Sequence, residues 1–513
     1  MEDPQHEDKS APSEATTKAE SVKAASGEIQ SGRLAGKSLG AAIAIVAFPV
    51  LLQQVMAAFV GLVDKILAGH LPEDIVIAAL DGVGVGSYVG WLIGIAMSGL
   101  GIGGQAIIAR SMGAGDINQG ARALGQALSL SVAWGILCGV VMWLCSDYLA
   151  DIGGLGPQAT LYCNQYVKTF AVSMPFFGVI IVGAMCMQGA GDTLKPFLIS
   201  VVINIVNVFA SWMLSGADLK FGDTVWMNPF GFDLDVLGIV LGSLISICVG
   251  SVLTLFVLFR GIRDLRLRPS LMSFHPGMSW RVVRIGIPNF FEGLAMWIAN
   301  IIVLGFIGTI AGKQIRASIM GETGQDSNEL VMSGEGLQGA HIIAVQWEAF
   351  SFLPGFAIGI AAGAVAGQYL GAGNVAMAKR AVWWCVSIGM ILMGLIGIVF
   401  MIWGRELTEI ISTQALHLEV VPKLLIICGA TQVFFAASMV IRQALRGTGD
   451  TTWVFIITVV SSYGIRLPAA WILGVHLEWG LPGIWIGLCG ELGVRALFFL
   501  ARFMHGGWAS RTL

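Results

Sequence analysis

The chain has 513 residues, 56% of them hydrophobic and 12% charged, with a formal net charge of −3 and a mean hydropathy of +0.79. Soluble proteins carry about 25% charged residues, so this composition excludes an ordinary soluble fold and points to lipid as the solvent. The near-neutral net charge indicates no class of partner.

In chain order, residues 1–36 are polar, mixed in charge and poor in large apolar side chains. That composition cannot bury a core, which predicts a disordered tail. The basic-then-apolar order of a signal peptide is missing. Twelve apolar stretches follow, at about 38–64, 84–108, 122–145, 165–187, 195–215, 236–259, 285–311, 340–366, 380–403, 421–441, 453–474 and 481–504. Each is long enough to cross a hydrocarbon core of about 30 Å. The expected fold is an all-α membrane protein of twelve transmembrane helices in two six-helix lobes, 37–262 and 285–504. An arginine-rich linker at 263–284 joins the lobes, and a short tail at 505–513 closes the chain.

Around that linker stand Arg260, Arg263, Arg266, Arg268, Arg281 and Arg284 against Asp264, and Arg110, Arg122, Lys379, Arg380, Arg442 and Arg446 fall in loops on the same side. Glu73, Asp74, Asp147, Asp151, Asp218, Asp223, Asp233 and Asp235 collect on the other. The positive-inside rule then places both termini and the linker in the cytoplasm. These arginines flank spans and lack interleaved aromatics, so no nucleic-acid partner is expected. Of the cysteines, Cys138, Cys145, Cys186, Cys248, Cys385, Cys428 and Cys489 lie in apolar segments and Cys163 at the edge of one. With no CxxC or Cys/His group, neither a disulfide framework nor a metal site is indicated.

The chain is internally duplicated. Gln188-Gly189-Ala190-Gly191-Asp192-Thr193 is echoed by Arg446-Gly447-Thr448-Gly449-Asp450-Thr451, and Met112-Gly113-Ala114-Gly115-Asp116 by Leu370-Gly371-Ala372-Gly373-Asn374. Both pairs share one offset (446 − 188 and 371 − 113, each 258), which chance does not explain. Six spans per half put the pseudo-twofold axis along the membrane normal, as in parallel-repeat carriers. Pro49 and Pro288 align at 239 (288 − 49), so nineteen residues (258 − 239) enter the second half within the polar stretch 312–338. That stretch reads as an outer loop. Gly82, Gly86, Gly90 and Gly94, and Gly355, Gly359, Gly363, Gly367 and Gly371, form stripes that permit close helix packing.

Ionisable groups inside spans cost about 2.5–3.5 kcal/mol each on insertion scales and mark candidate sites. Asp64 ends the first span, and Lys65 points about 100° away from it. Glu292 lies one turn beyond Pro288, where a kink would leave a carbonyl free; its counterpart one turn beyond Pro49 is Gln53. Asp64 and Glu292 are therefore the expected ion-coupling residues, with no further metal site. Glu348, Asn204, Asn207, Gln53 and Trp297 are the cavity candidates, the asparagines having helix-to-helix adhesion as their alternative role. Phe290 and Phe291, with Trp297, could receive aromatic or cationic compounds or simply fill core. Glu491 and Arg495, spaced i, i+4, are expected to neutralise each other with Arg466 nearby, and His341 to be packed and neutral. No nucleotide-binding loop and no catalytic grouping is found, so the chain is not expected to be an enzyme, and the energy for any transport must come from an ion gradient or a partner.

The two Gly-x-Gly phrases resemble loops of the multidrug and toxic compound extrusion (MATE) family, prokaryotic branch, of the multidrug/oligosaccharidyl-lipid/polysaccharide flippase superfamily. Gln443-Ala444-Leu445-Arg446-Gly447-Thr448-Gly449-Asp450-Thr451, Ala340-His341-Ile342-Ile343-Ala344 and Glu348-Ala349-Phe350-Ser351-Phe352-Leu353-Pro354-Gly355 resemble further signatures of it. The resemblance spans about 38–504 and implies two lobes around a cleft, with H⁺ or Na⁺ driving export of organic, often cationic compounds. Asp64 matches the family's first-helix Asp, although Lys65 replaces a small hydroxyl residue. Asn207 matches a fifth-helix Asn, while Ser211 stands where an Asp is usual; Met296 and Phe435 occupy two acidic positions of one branch. The resemblance implies a bacterial inner-membrane antiporter, expected as a monomer without bound cofactor, among membrane lipid and small organic substrates. A lipid or lipid-linked oligosaccharide flippase on the same architecture is the alternative, and an uncoupled channel or membrane scaffold a more distant one.

Overall fold

The computed structural model describes residues 28–511 apart from 73, 153–155, 222–223 and 320–326. Twelve helices are long and apolar enough to span a bilayer. They are α1 (Leu39–Gly69), α2 (Val76–Ala114), α3 (Ile117–Ile152), α4 (Pro157–Gly189), α5 (Leu194–Ser215), α6 (Asp235–Arg260), α7 (Pro276–Ile319), α8 (Ser327–Gly371), α9 (Val375–Ile402), α10 (Ala415–Gly447), α11 (Thr451–His476) and α12 (Gly480–His505). All twelve expected spans are present. A short helix, Gly404–Ile411, precedes α10. The structure adds a two-stranded antiparallel hairpin, Leu219–Phe221 with Thr224–Trp226, between α5 and α6.

The Gly-x-Gly-Asp phrases end one helix and start the next. Gly115, Gly191, Gly373 and Gly449 take φ between 75° and 89°, a left-handed conformation that glycine adopts without Cβ strain. Asp116 and Asn374 then accept the backbone N–H three residues on, at 2.9 Å in both cases, capping α3 and α9. These four turns lie at the end of the bundle that carries the linker.

At this linker end the lobes are fused. Ala42, Ile43 and Val46 of α1 are buried with Ile358, Val365, Val382, Val440 and Phe499 of the second lobe. Val282 and Ile285 of α7 join Ile107, Leu124 and Val182 of the first. Gly113 lies against the Gln368 backbone, Gly371 against Arg110 and Gly99 against Gly286, leaving no room for a Cβ at any of them. Gln368 Nε2 donates to Gly189 O at 2.9 Å, and Arg110 Nη2 to Thr448 O at 3.1 Å. At the opposite end the cores are separate: Leu67, Ala79, Tyr166 and Ile239 pack within the first lobe, and Val303, Leu337, Leu424 and Trp485 within the second.

Two boundaries need correction. Residues 28–36 are not a free tail: Ile29 and Leu34 are buried, Ser31 Oγ donates to Met112 O at 2.7 Å, and Gly32 N to Asp264 at 3.0 Å. Arg33 pairs with Asp192 at 3.2 Å. Apolar residues at only two positions are too few to show in composition, yet both fit the interlobe seam. The stretch 312–338 is not one loop either, because α7 continues to Ile319 and α8 begins at Ser327; residues 320–326 lie outside the described ones.

Candidate functional site

Asp64 lies one turn from the end of α1, where Lys65 is exposed and Asp64 is 3% exposed. Its carboxylate accepts from Tyr166 Oη of α4 at 3.1 Å and from Ser243 Oγ of α6 at 3.1 Å. Asn207 of α5 donates to Ser243 Oγ at 2.9 Å and Ser211 Oγ at 3.3 Å, and its Oδ1 is buried without a partner. Four helices thus converge on one carboxylate surrounded by neutral oxygens. The glycine stripe of α2 builds this site: Gly82, Gly86 and Gly90 accommodate Tyr162, Tyr166 and Phe170 in turn, so α4 comes close enough for Tyr166 to reach Asp64. The reach of Tyr166 and Ser243 was not read from the sequence; the matching four-residue spacing of Tyr162, Tyr166 and Phe170 was the available signal.

Between α1 and α5 an apolar pocket of about 610 Å³ is lined by Met56, Phe59, Val63, Asn204, Val208 and Trp212 among others, so it reaches the residue before Asp64 on α1. Asn204 shows both of its alternative roles, lining this pocket while donating to Met56 O at 3.0 Å and Ser200 O at 2.9 Å.

Glu292 is arranged differently from expectation. Arg446 meets its carboxylate at 2.6 Å, Thr458 at 2.9 Å and Arg442 at 3.7 Å, so it is neutralised by side chains instead of facing a freed carbonyl. Arg446, expected in a loop, is in the last turn of α10 and its long side chain reaches inward. In the first lobe the equivalent residues also touch: Gln188 Nε2 donates to Gln53 Oε1 at 3.1 Å. One architectural contact is therefore an amide pair in one lobe and an ion pair in the other.

Glu491 and Arg495 form the expected pair, doubly bonded at 2.7 and 2.9 Å, with Ser461 and Ser462 completing the guanidinium. Arg466 lies within electrostatic reach of Glu491 and of Glu348. His341 accepts from Trp485 Nε1 at 3.1 Å in a buried contact, in keeping with a packed residue. Trp297 is half-buried on α7. Phe290 and Phe291 form a T-shaped pair at 5.3 Å, and Phe290 also meets Trp134 of α3 at 6.3 Å across the seam. The structure thus brings Asp64 and Asn207 together in the first lobe and Glu292 and Glu348 into the second, without joining the two groups. Among the described residues no three His, Cys, Asp or Glu side chains gather into a metal site.

A twelve-span bundle in two lobes, fused at one end and separate at the other, is the architecture of a membrane transporter. The sequence model of the MatE family matches residues 49–213 and 337–472, and the chain belongs to that family. It is 26% identical over 474 residues to the probable multidrug resistance protein NorM of Thermotoga maritima, covering 91% of this chain and 92% of that one. It is 23% identical over 483 residues to the multidrug resistance protein PmpM of Pseudomonas aeruginosa, covering 89% of each. A solved MATE structure in the bent conformation superposes with a TM-score of 0.78 at 20% identity, over 91% of this chain and 96% of the other.

Proposed function

We propose that this multidrug-type transporter is a cation-coupled antiporter of the bacterial inner membrane, exporting organic cations and amphiphiles by alternating access, with Asp64 as the coupling carboxylate. The observation that carries this reading is the isolation of Asp64. It is a buried carboxylate among Tyr166, Ser243 and Asn207, with no counter-cation in hydrogen-bonding contact among the described residues. A proton can neutralise it, and its acidic hydrogen can be accepted by the orphaned Asn207 Oδ1. Na⁺ can neutralise it equally, since hydroxyl and amide oxygens complete a hard-cation shell. Either event removes the negative charge of the first lobe and weakens the hold on a cationic substrate. Antiport follows from that competition. Glu292, already matched by Arg446, is a structural ion pair in this reading. Placing the arginine-rich linker in the cytoplasm makes the fused end the inner one and this conformation outward-facing.

Asp64→Asn in proteoliposomes should abolish gradient-driven efflux with assembly intact. Imposing pH and Na⁺ gradients separately on the unaltered protein identifies the ion, and undiminished transport by the variant removes Asp64 from the mechanism. A flippase for lipid-linked anions is the second reading, favoured by one observation: four arginines stand inside the second lobe against three glutamates.

A further inference from the structure

Inside the second lobe, Arg442 and Arg446 of α10, Arg466 of α11 and Arg495 of α12 stand with Glu292, Glu348 and Glu491, leaving one positive charge in excess. The partners are unevenly shared. Arg495 donates to Glu491 and two serines, and Arg446 donates to Glu292 and Gln443. Among the described residues Arg442 and Arg466 donate no hydrogen bond, and the Nε of each, like that of Arg446, is buried without a partner. Arg442 has only a 3.7 Å approach to Glu292, whose oxygens are already taken by Arg446 and Thr458. Each guanidinium carries five N–H donors in a planar fork suited to carboxylate or phosphate. Buried donors such as these Nε groups are ordinarily satisfied.

Two further observations locate the demand. Both arginines lie within electrostatic reach of the same Glu491–Arg495 pair. Arg466 also ends a π-helical turn, Ser462–Arg466, a distortion that recurs at functional sites. The repeat shows that the frame does not require them: at the 258-residue offset, Arg442 corresponds to Ala184 and Arg466 to Val208.

We propose that Arg442 and Arg466 seat an anionic group, a carboxylate or phosphate, of the transported compound, making zwitterionic amphiphiles the preferred substrates. The inference rests on the carrier reading above and names its substrate class: the cationic end answers to Asp64 in one lobe, the anionic end to the arginines in the other.

The test uses the full-length protein in phosphatidylcholine nanodiscs and the fluorescence polarisation of two xanthene dyes, one with a free benzoate and the other its methyl ester. The free acid should bind at least about tenfold more tightly than the ester, or about 1.4 kcal/mol. Arg442→Gln and Arg466→Gln should each remove most of that preference while leaving ester binding within about twofold; Arg466→Lys should restore part of it. Equal binding of the two dyes by the unaltered protein, or a preference that survives both substitutions, would show that water alone solvates the arginines and overturn the proposal. If a variant does not assemble, competition in the unaltered protein decides: naphthoate must displace the acid dye where naphthamide does not. Loss of acid-dye binding in phosphatidylglycerol nanodiscs would mean that a lipid headgroup takes the seat and would overturn the assignment to substrate. A dye preference without gradient-driven efflux in the unaltered protein defeats the antiporter and leaves the seat standing, whereas efflux without preference defeats only the seat.

Discussion

Exchanging the ion pair of the second lobe for the amide pair of the first tests the duplication directly. Glu292 is 1% exposed and Arg446 14%, so solvent screens this pair little. Glu292→Gln leaves Arg446 and Arg442 without their carboxylate, and breaking a buried pair from one side costs about 3–5 kcal/mol. For a chain of this length a kilocalorie moves the melting midpoint by about 1 °C, giving a fall of roughly 3–5 °C. Arg446→Gln should cost as much, because it leaves Glu292 with only Thr458 at 2.9 Å and the distant Arg442. The double substitution Glu292→Gln with Arg446→Gln recreates the Gln53–Gln188 contact of 3.1 Å and should recover at least half of the summed loss. Thermal unfolding followed with a thiol-reactive dye is a suitable assay, since Cys163, Cys186, Cys385, Cys428 and Cys489 are buried and become reactive only on opening. A double variant as unstable as the two losses added would refute the equivalence of the two contacts. Single variants with unchanged midpoints would refute the ion pair itself.

Three other outcomes are expected. Gly86→Ala places a methyl against the Tyr166 ring and should displace its hydroxyl from Asp64; transport should fall several-fold with expression unchanged, measured against Gly84→Ala, where the added Cβ meets nothing within 4 Å. Gly113→Val would overlap the Gln368 backbone and force the linker end apart, read as a longer spin-label distance between Asn118 and Ala376; an unchanged distance would show that the seam is not a tight closure. Leu34→Ala, at a position 1% exposed, should cost about 2–4 kcal/mol and lower the melting midpoint, whereas a truly free tail would register no change.

The sequence by itself determined the number of spans, the duplication and the candidacy of Asp64. Hydrophobic length, repeated phrases and a charge stranded in an apolar run are local properties of the chain. It also anticipated the Glu491–Arg495 pair, because residues one helical turn apart must be neighbours. Only the tertiary structure decided which groups meet across helices. It brought Tyr166 and Ser243, 102 and 179 residues distant, to Asp64. It carried Arg446 from a loop phrase inward to Glu292 at 2.6 Å, giving that carboxylate a cationic partner, and it drew Ile29 and Leu34 into the seam. It also left Arg442 and Arg466 with donors unspent. The reason is one of range: periodicity and composition report what a helix contributes to its own surface, whereas the partner of a buried charge is chosen by the packing of helices far apart in the chain.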